Sequence, residues 1–379
     1  MKIWIIAGES SGDTYGARIS RELKKINPDI EINGMGGIEM QREGLDLMVD
    51  STELGVMGII EVAKMYPTFK KIFNMLVEEA GKQRPDAVIL IDYPGFNLRY
   101  AEKLHEMNIP VCYYVSPQVW AWHKKRIPKI AKIVTKMMVI FPFEVEIYKD
   151  TDLDVEFVGH PLAEILNETT TPTERDEDTV LLLPGSRFSE INRLLKPFVE
   201  TADKLRLTKP NLKFVIPTPR EKIRDHIKSL LPKLTDCPGN FQIEVGNTTQ
   251  WMRKAVAGIA ASGTVTVQAA ILGLPLISCY RLNPLTYLMA KTLVKIPFFT
   301  MPNVIEGDVV YEEFLQGEVK SEILTPALEK ILPDGRRYQA VQKGMTSVVE
   351  KLGGKQGTLK RAAEAVLETI EKSKKQPQF

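Results

Sequence analysis

The stretch AVILIDYPGFN, Ala87 to Asn97, decides how the remainder of the chain is read. Ala87-Val88-Ile89-Leu90-Ile91 is apolar without interruption and largely β-branched, as in a short strand buried on both faces of a parallel α/β sheet. Asp92 falls at the carboxyl end of that strand, and Pro94-Gly95 forces a turn. Open α/β sheets bind ligands outside the carboxyl ends of their strands, so this carboxylate stands where chemistry is expected. An aspartate there can equally cap the next helix, Leu98 to Glu106, and the stretch alone leaves both roles open.

Toward the amino terminus, Lys2 to Ala7 reads as a first strand, followed by GESSGD (Gly8 to Asp13) and a helix from Thr14 to Lys25. Strand, Gly/Ser turn and helix leave N–H groups free at a helix start, where an anion is favoured. The spacing is not the GxGxxG of a dinucleotide site, and a tight turn capped by Asp13 accounts for the same residues. Short apolar strands recur at Ile30 to Asn33, Val111 to Val115, Met137 to Phe141 and Val155 to Val158, alternating with helical patterns. That alternation predicts a doubly wound parallel sheet.

Toward the carboxyl terminus, Ala163 to Asp178 loses periodicity, becomes rich in Thr and charge, and reads as a linker. Beyond it a second strand series begins: Thr179 to Leu183, Leu212 to Ile216, Phe241 to Val245, Ala257 to Ala260 and Leu276 to Cys279. The sequence thus predicts two α/β domains, 1–165 and 175–335, with a cleft between them. Helical segments over 336–379, Arg336 to Lys351 and Thr358 to Lys372, are expected to pack back on the first domain.

The 379 residues exceed the roughly 100 to 200 of one domain, which agrees with two cores. Fifty basic against 48 acidic side chains leave a net charge of +2, so nothing in bulk draws the chain to nucleic acid. Cys112, Cys237 and Cys279 form no CxxC pair, which fits a reducing cytoplasm. The apolar patch Ile3 to Ala7 is too short for a signal peptide, and no run approaches the ~18 apolar residues of a spanning helix. Membrane contact would therefore be peripheral.

Two stretches bear on such contact. Met57 to Val77 is rich in bulky apolar side chains, among them Ile59, Ile60, Val62, Phe69, Ile72 and Phe73. It reads either as a buried core helix interrupted at Pro67 or as an exposed patch that grips acyl chains. HKKRIPKIAK sets Lys124, Lys125, Arg126, Lys129 and Lys132 just after Trp120 and Trp122, a solvated helix face or a surface for anionic headgroups.

In the second half, LLLPGSR (Leu181 to Arg187) is a buried strand, a Pro-Gly turn, then Ser186 and Arg187 opening a helix. ASGTVTVQAAILGLP (Ala261 to Pro275) repeats the device with Ser262, Gly263 and Thr264. Helix starts, hydroxyls and a guanidinium at one sheet edge predict a diphosphate site, and hence a nucleotide. Asp152-Leu153-Asp154 matches a metal-binding DxD pattern but precedes a strand instead of following one, and the four histidines show no paired ligand spacing.

Taken together, GESSGD, VMGIIE (Val56 to Glu61), IDYPGFN, YYVSPQVWAW (Tyr113 to Trp122), FPFE (Phe141 to Glu144), FVGHPL (Phe157 to Leu162), LLPGSR, ASGT, YRLNPLTY (Tyr280 to Tyr287) and MPN (Met301 to Asn303) resemble lipid-A-disaccharide synthase, in the family's order and over nearly the whole chain. The resemblance implies a GT-B glycosyltransferase of two Rossmann-like domains facing a cleft, acceptor in the first and nucleotide donor in the second, with no metal or cofactor. It implies UDP-2,3-diacylglucosamine and 2,3-diacylglucosamine 1-phosphate as substrates, a β(1→6) disaccharide and UDP as products, and a cytoplasmic enzyme held peripherally at the inner membrane, with a homodimer compatible.

By position, Asp92 matches the family's general base, Arg187 the arginine facing the UDP phosphates and Asn303 a donor-site asparagine, while His160 is expected to line the cleft or to serve a structural role. Ser186, Ser262, Gly263, Thr264 and Gln268 complete the expected donor side, and Glu9, Ser10, Ser11 and Asp13 the acceptor side. The Met57 to Val77 stretch matches the family's membrane and acyl-chain patch. Gln268 departs from the family, which usually carries Glu after the ASGT turn. A UDP-sugar epimerase and an inactive nucleotide-sugar-binding protein are the competing readings, the second motivated by Gln268.

Overall fold

The computed structural model describes residues 1–51, 66–119, 124–171, 173–283 and 297–375. The chain divides into two compact units, Met1–Pro161 with Leu352–Phe379, and Leu162–Lys351. The first holds β1 (Lys2–Ala7), β2 (Glu31–Gly36), β3 (Asp46–Asp50), β4 (Ala87–Ile91), β5 (Val111–Tyr114), β6 (Lys136–Val139) and β7 (Asp154–Phe157), in the order β3-β2-β1-β4-β5-β6-β7. The second holds β8 (Asp176–Leu183), β9 (Lys213–Thr218), β10 (Phe241–Val245), β11 (Ala255–Ala261), β12 (Leu276–Tyr280) and β13 (Glu312–Leu315), in the order β10-β9-β8-β11-β12-β13. Every pairing in both sheets is parallel.

Each sheet therefore reverses its winding once, between β1 and β4 and between β8 and β11. Helices leave to opposite faces at such a point, and the carboxyl ends are left open to a ligand. Registers Ala7 with Ile91 and Ile91 with Tyr114 bring the ends of β1, β4 and β5 level. Ala260 with Leu183 and Ala261 with Cys279 do the same for β8, β11 and β12.

In the first unit Leu76, Ala80, Phe96, Tyr100 and Leu104 from the helices Tyr66–Gln83 and Pro94–Glu106 pack with Trp4, Val88 and Leu90 of the sheet. The helices Ser10–Ile26 and Thr358–Lys375 pack on each other, the second also on β4, β5 and β6. Cys112 and Cys279 are buried in strands, and Cys237 is exposed.

Several expectations are corrected. The supposed linker contains the helix Pro161–Thr169 and the start of β8. Its threonines serve that helix, since the Thr169 hydroxyl donates to the Ile165 carbonyl at 2.7 Å and Thr170 bonds to that of Leu166. Strands β3 and β13 escaped notice because they are half-buried edges that carry acidic residues, as edge strands commonly do. The helix Tyr338–Lys351 packs on Thr264–Ile271 and Met301–Glu306 in the second unit, so only Thr358–Lys375 rejoins the first.

Of the apolar stretch, Ile59, Ile60 and Val62 lie outside the described residues, as do Trp120 and Trp122. Phe69, Ile72 and Phe73 are half-buried on the helix Tyr66–Gln83. Ile72 and Phe73 pack against the core, Phe73 edge-on to Phe96 at 5.5 Å and to Tyr100 at 6.0 Å. Among the described residues, no helix is long and apolar enough to cross a membrane.

Candidate functional site

The winding reversal of the first sheet is flanked by Gly8 to Ser11 after β1 and by Asp92 and Tyr93 after β4. Asp92 and Tyr93 both adopt left-handed conformations, φ +46° and +48°. Such pairs of non-glycine residues are uncommon and mark a constrained turn. Tyr93, and not Asp92, occupies the cap position of the helix Pro94–Glu106, and it makes no side-chain cap hydrogen bond. Gly8 is required here: a Cβ on it would run into the Tyr93 ring.

The Asp92 carboxyl is half-buried. Loss of water around it, and then the Glu9 charge, push its pKa up to about 6, against a smaller opposing effect of the Tyr93 N–H. That is the range in which a carboxylate is an effective proton acceptor near neutral pH. Neighbouring Tyr15 is pushed up to about 12, by burial and then by the Asp92 charge, and stays a neutral phenol.

The remaining first-unit candidates separate. Glu9, Ser10 and Ser11 are exposed at the start of the helix Ser10–Ile26. Asp13 is buried, and its carboxylate accepts the N–H groups of Gly37 at 2.7 Å, Glu39 at 2.9 Å and Met40 at 3.1 Å. It pins the turn after β2, with both oxygens accepting backbone N–H groups. His160 is 4% exposed, edge-on to Phe141 at 5.3 Å, with its backbone N–H on the Leu352 carbonyl at 2.8 Å. Burial pushes its pKa down to about 4, so at neutral pH it is an uncharged packed ring.

Sequence reasoning assigned no role to Tyr113, Asn97 or Glu144. The first two bond to the Asp92 carbonyl. Glu144 is 1% exposed, accepts the Phe141 N–H at 3.1 Å, and is pushed up to about 8 by burial. The motifs containing them were visible in the sequence, but their partners were not.

At the second reversal, Ser186 and Arg187 are exposed after β8, ahead of the helix Phe188–Thr208. Gly185, at φ +117°, makes the turn. Glu190 currently fills the cradle: its carboxylate accepts the N–H of Ser186 at 3.0 Å and of Arg187 at 3.3 Å, and pairs with the Arg187 guanidinium at 3.0 Å. One anion thus already satisfies the donors that a phosphate would use, and at 78% side-chain exposure the arginine is free to be drawn off it.

Across the reversal, Gly263 and Thr264 are exposed at the head of the helix Thr264–Ile271. Gly263 lies at φ +154°, and among the described residues a Cβ there would meet no atom within 4 Å. Ser262 Oγ reaches the Phe299 carbonyl at 3.4 Å. Gln268 is half-buried on the same helix, and its amide makes no hydrogen bond among the described residues.

Asn303 is fully buried. Its amide donates to the Tyr311 carbonyl at 2.8 Å and Glu313 at 2.9 Å and accepts from Val310 and Tyr311, so it ties the helix Met301–Glu306 to the segment that leads into β13. Among the described residues no cluster could hold a metal, and Asp154 of the DxD pair is engaged by Lys136 at 3.0 Å and Lys372 at 3.6 Å.

Solved structures of similar fold include a UDP-GlcNAc 2-epimerase from Neisseria meningitidis bound to UDP-GlcNAc, at 14% identity and TM-score 0.61 over 98% of this chain and 100% of that one. The glycotransferase of kitacinnamycin is similar at 15% identity and TM-score 0.61, over 97% and 98% of the two chains. At such identities the likeness establishes the GT-B fold and no more. A lipid-A-disaccharide synthase of Trichlorobacter lovleyi is 37% identical over 380 residues, 98% of each chain, and one of Myxococcus xanthus is 35% identical over 97% of each. A family profile described as lipid-A-disaccharide synthetase matches residues 3–369. The profile over residues 3–369 and relatives matched over nearly their whole length place this chain in the lipid-A-disaccharide synthase family of glycosyltransferases.

Proposed function

We propose that this enzyme transfers the sugar of UDP-2,3-diacylglucosamine to the 6-hydroxyl of 2,3-diacylglucosamine 1-phosphate in one displacement with inversion at C1. Asp92 takes the hydroxyl proton as the acceptor oxygen bonds to C1. The bond from C1 to the diphosphate oxygen breaks, and UDP leaves with the electron pair. Arg187 and the N–H groups at Ser186 and Thr264 receive that charge once the Glu190 carboxylate has swung out of the cradle it fills, and such contacts strengthen as charge develops. Ser10 and Ser11 offer hydroxyls and a helix start to the acceptor side.

The carrying observation is the Asp92 carboxyl, held in a constrained turn at a winding reversal with a pKa near 6. Exposed Lys70, Lys71, Lys125, Arg126, Lys129 and Lys132 support reversible attachment to an anionic membrane that presents both lipid substrates. The test is incubation of purified protein with both acyl sugars, measuring UDP release and the anomeric coupling of the disaccharide. UDP formed only with both sugars and a β linkage support the reading; UDP release without acceptor, or an α product, overturns it.

A further inference from the structure

The constrained turn poses a physical question. Left-handed backbone is unfavourable for L-residues, and Asp92 and Tyr93 adopt it in succession, with Val115 at φ +68° at the end of the adjoining β5. Strain of this kind persists only where the surroundings over-determine it. The Asp92 N–H donates to the Tyr114 carbonyl at 2.9 Å, as sheet registry dictates. Its carbonyl is held twice, by the Tyr113 hydroxyl at 2.7 Å and by Asn97 Nδ2 at 2.9 Å. The second Nδ2 proton goes to the Ile91 carbonyl at 3.1 Å.

Both side chains are fully buried. Asn97 Oδ1 has no hydrogen-bond partner among the described residues, a costly arrangement that leaves the amide's two donors as its reason for being there. Those donors face two carbonyls, which also fixes which way the amide points. A phenol and an amide from different elements thus converge on one carbonyl oxygen and occupy both of its acceptor directions.

We infer that Tyr113 and Asn97 are positioning residues for glycosyl transfer: together they lock the Asp92 carbonyl in its left-handed turn and so fix the direction in which the Asp92 carboxylate faces the acceptor hydroxyl. The inference rests on the proposed role of Asp92 as base. Neither residue touches substrate; each acts through the turn. Without the clamp the turn relaxes toward ordinary backbone, and a base displaced by a fraction of an ångström loses its alignment.

The experiment is a mutant cycle. Tyr113→Phe removes one oxygen and leaves the buried ring; Asn97→Asp keeps the shape and removes both donors. Each is measured alone and with Asp92→Asn, using excess enzyme for the slow variants, and UDP binding by calorimetry checks the second unit. The expected result is a kcat about tenfold lower or worse for Tyr113→Phe on the plateau above the acid limb, with UDP affinity unchanged. In the Asp92→Asn background the same substitution is expected to change nothing further. Full kcat in Tyr113→Phe, or an equal loss with and without Asp92, overturns the clamp while leaving Asp92 as base. Near-normal turnover in Asp92→Asn alone removes the base itself, and the clamp with it. If Asn97→Asp does not fold, Tyr113→Phe decides the matter.

Discussion

At neutral pH the Asp92 carboxyl is ionised by a narrow margin, because burial and the Glu9 charge hold its pKa at about 6. A base must be deprotonated to act, so kcat/KM is expected to rise with pH through about 6 and then level. Asp92→Asn should lower kcat by ~10²–10⁴-fold and erase that limb. Glu9→Gln removes the like charge and should move the limb to lower pH; a limb that stays in place would show Glu9 too well screened to matter. Arg187→Ala should depress kcat/KM strongly, and Lys should restore only part of it, since a point charge cannot reproduce the guanidinium fork. Gln268→Glu should tighten UDP binding several-fold with kcat nearly unchanged, because a carboxylate accepts from two ribose hydroxyls where the amide offers one acceptor. Calorimetry that shows weaker binding with Glu would mean the site has adapted to the amide. At this scale the sequence revealed which residues stand at sheet edges and not what they bond to. Asp13 is consumed by N–H groups from Gly37 to Met40, and Asn303 by the chain around Tyr311 and by Glu313. Those partners are set by tertiary folding, so both residues looked available for ligands.

Elements were legible in proportion to their burial. β1 and β4, buried nearly throughout, have the bounds that their apolar runs give, whereas the half-buried edges β3 and β13 lack such a run. The helix Thr358–Lys375 shows how a charged sequence hides a structural task. Leu359, Ala362, Ala363, Val366 and Ile370 form its buried face, and the alanines allow close approach. Around that face Lys374 meets Asp86 at 2.7 Å, and Arg361 donates to the Val158 carbonyl at 3.0 Å. Val366→Asp would place an unpaired carboxylate against the sheet and should cost more than about 4 kcal/mol, seen as loss of the cooperative melt of the first unit. A melt unchanged by that substitution would mean the helix is a removable appendage.

Across the whole molecule the buried titrating groups give stability a pH signature. Glu144 keeps its proton to about 8 in the fold, whereas in the unfolded chain it ionises near the ordinary 4.5 of a glutamate. Between those values the folded state binds the extra proton, so stability falls as pH rises. Asp92 acts in the same direction between 3.8 and about 6. His160 acts oppositely: its folded pKa of about 4 lies below the unfolded 6.5, so its contribution is present above 6.5 and is lost on acidification. Melting temperatures of Glu144→Gln against the parent from pH 5 to 8 should show the parent losing stability relative to the variant as pH rises; parallel curves would mean Glu144 is already ionised. The connectivity adds a consequence in time. The second unit is one continuous piece, whereas the first takes in Leu352–Phe379, which a ribosome delivers only after the second. For the roughly 10–40 s that translation of the intervening unit takes, the amino-terminal sheet waits with the bed of its last helix uncovered. The nascent chain, more than the finished enzyme, is the species exposed to aggregation, and a lesion such as Val366→Asp would be felt first during synthesis.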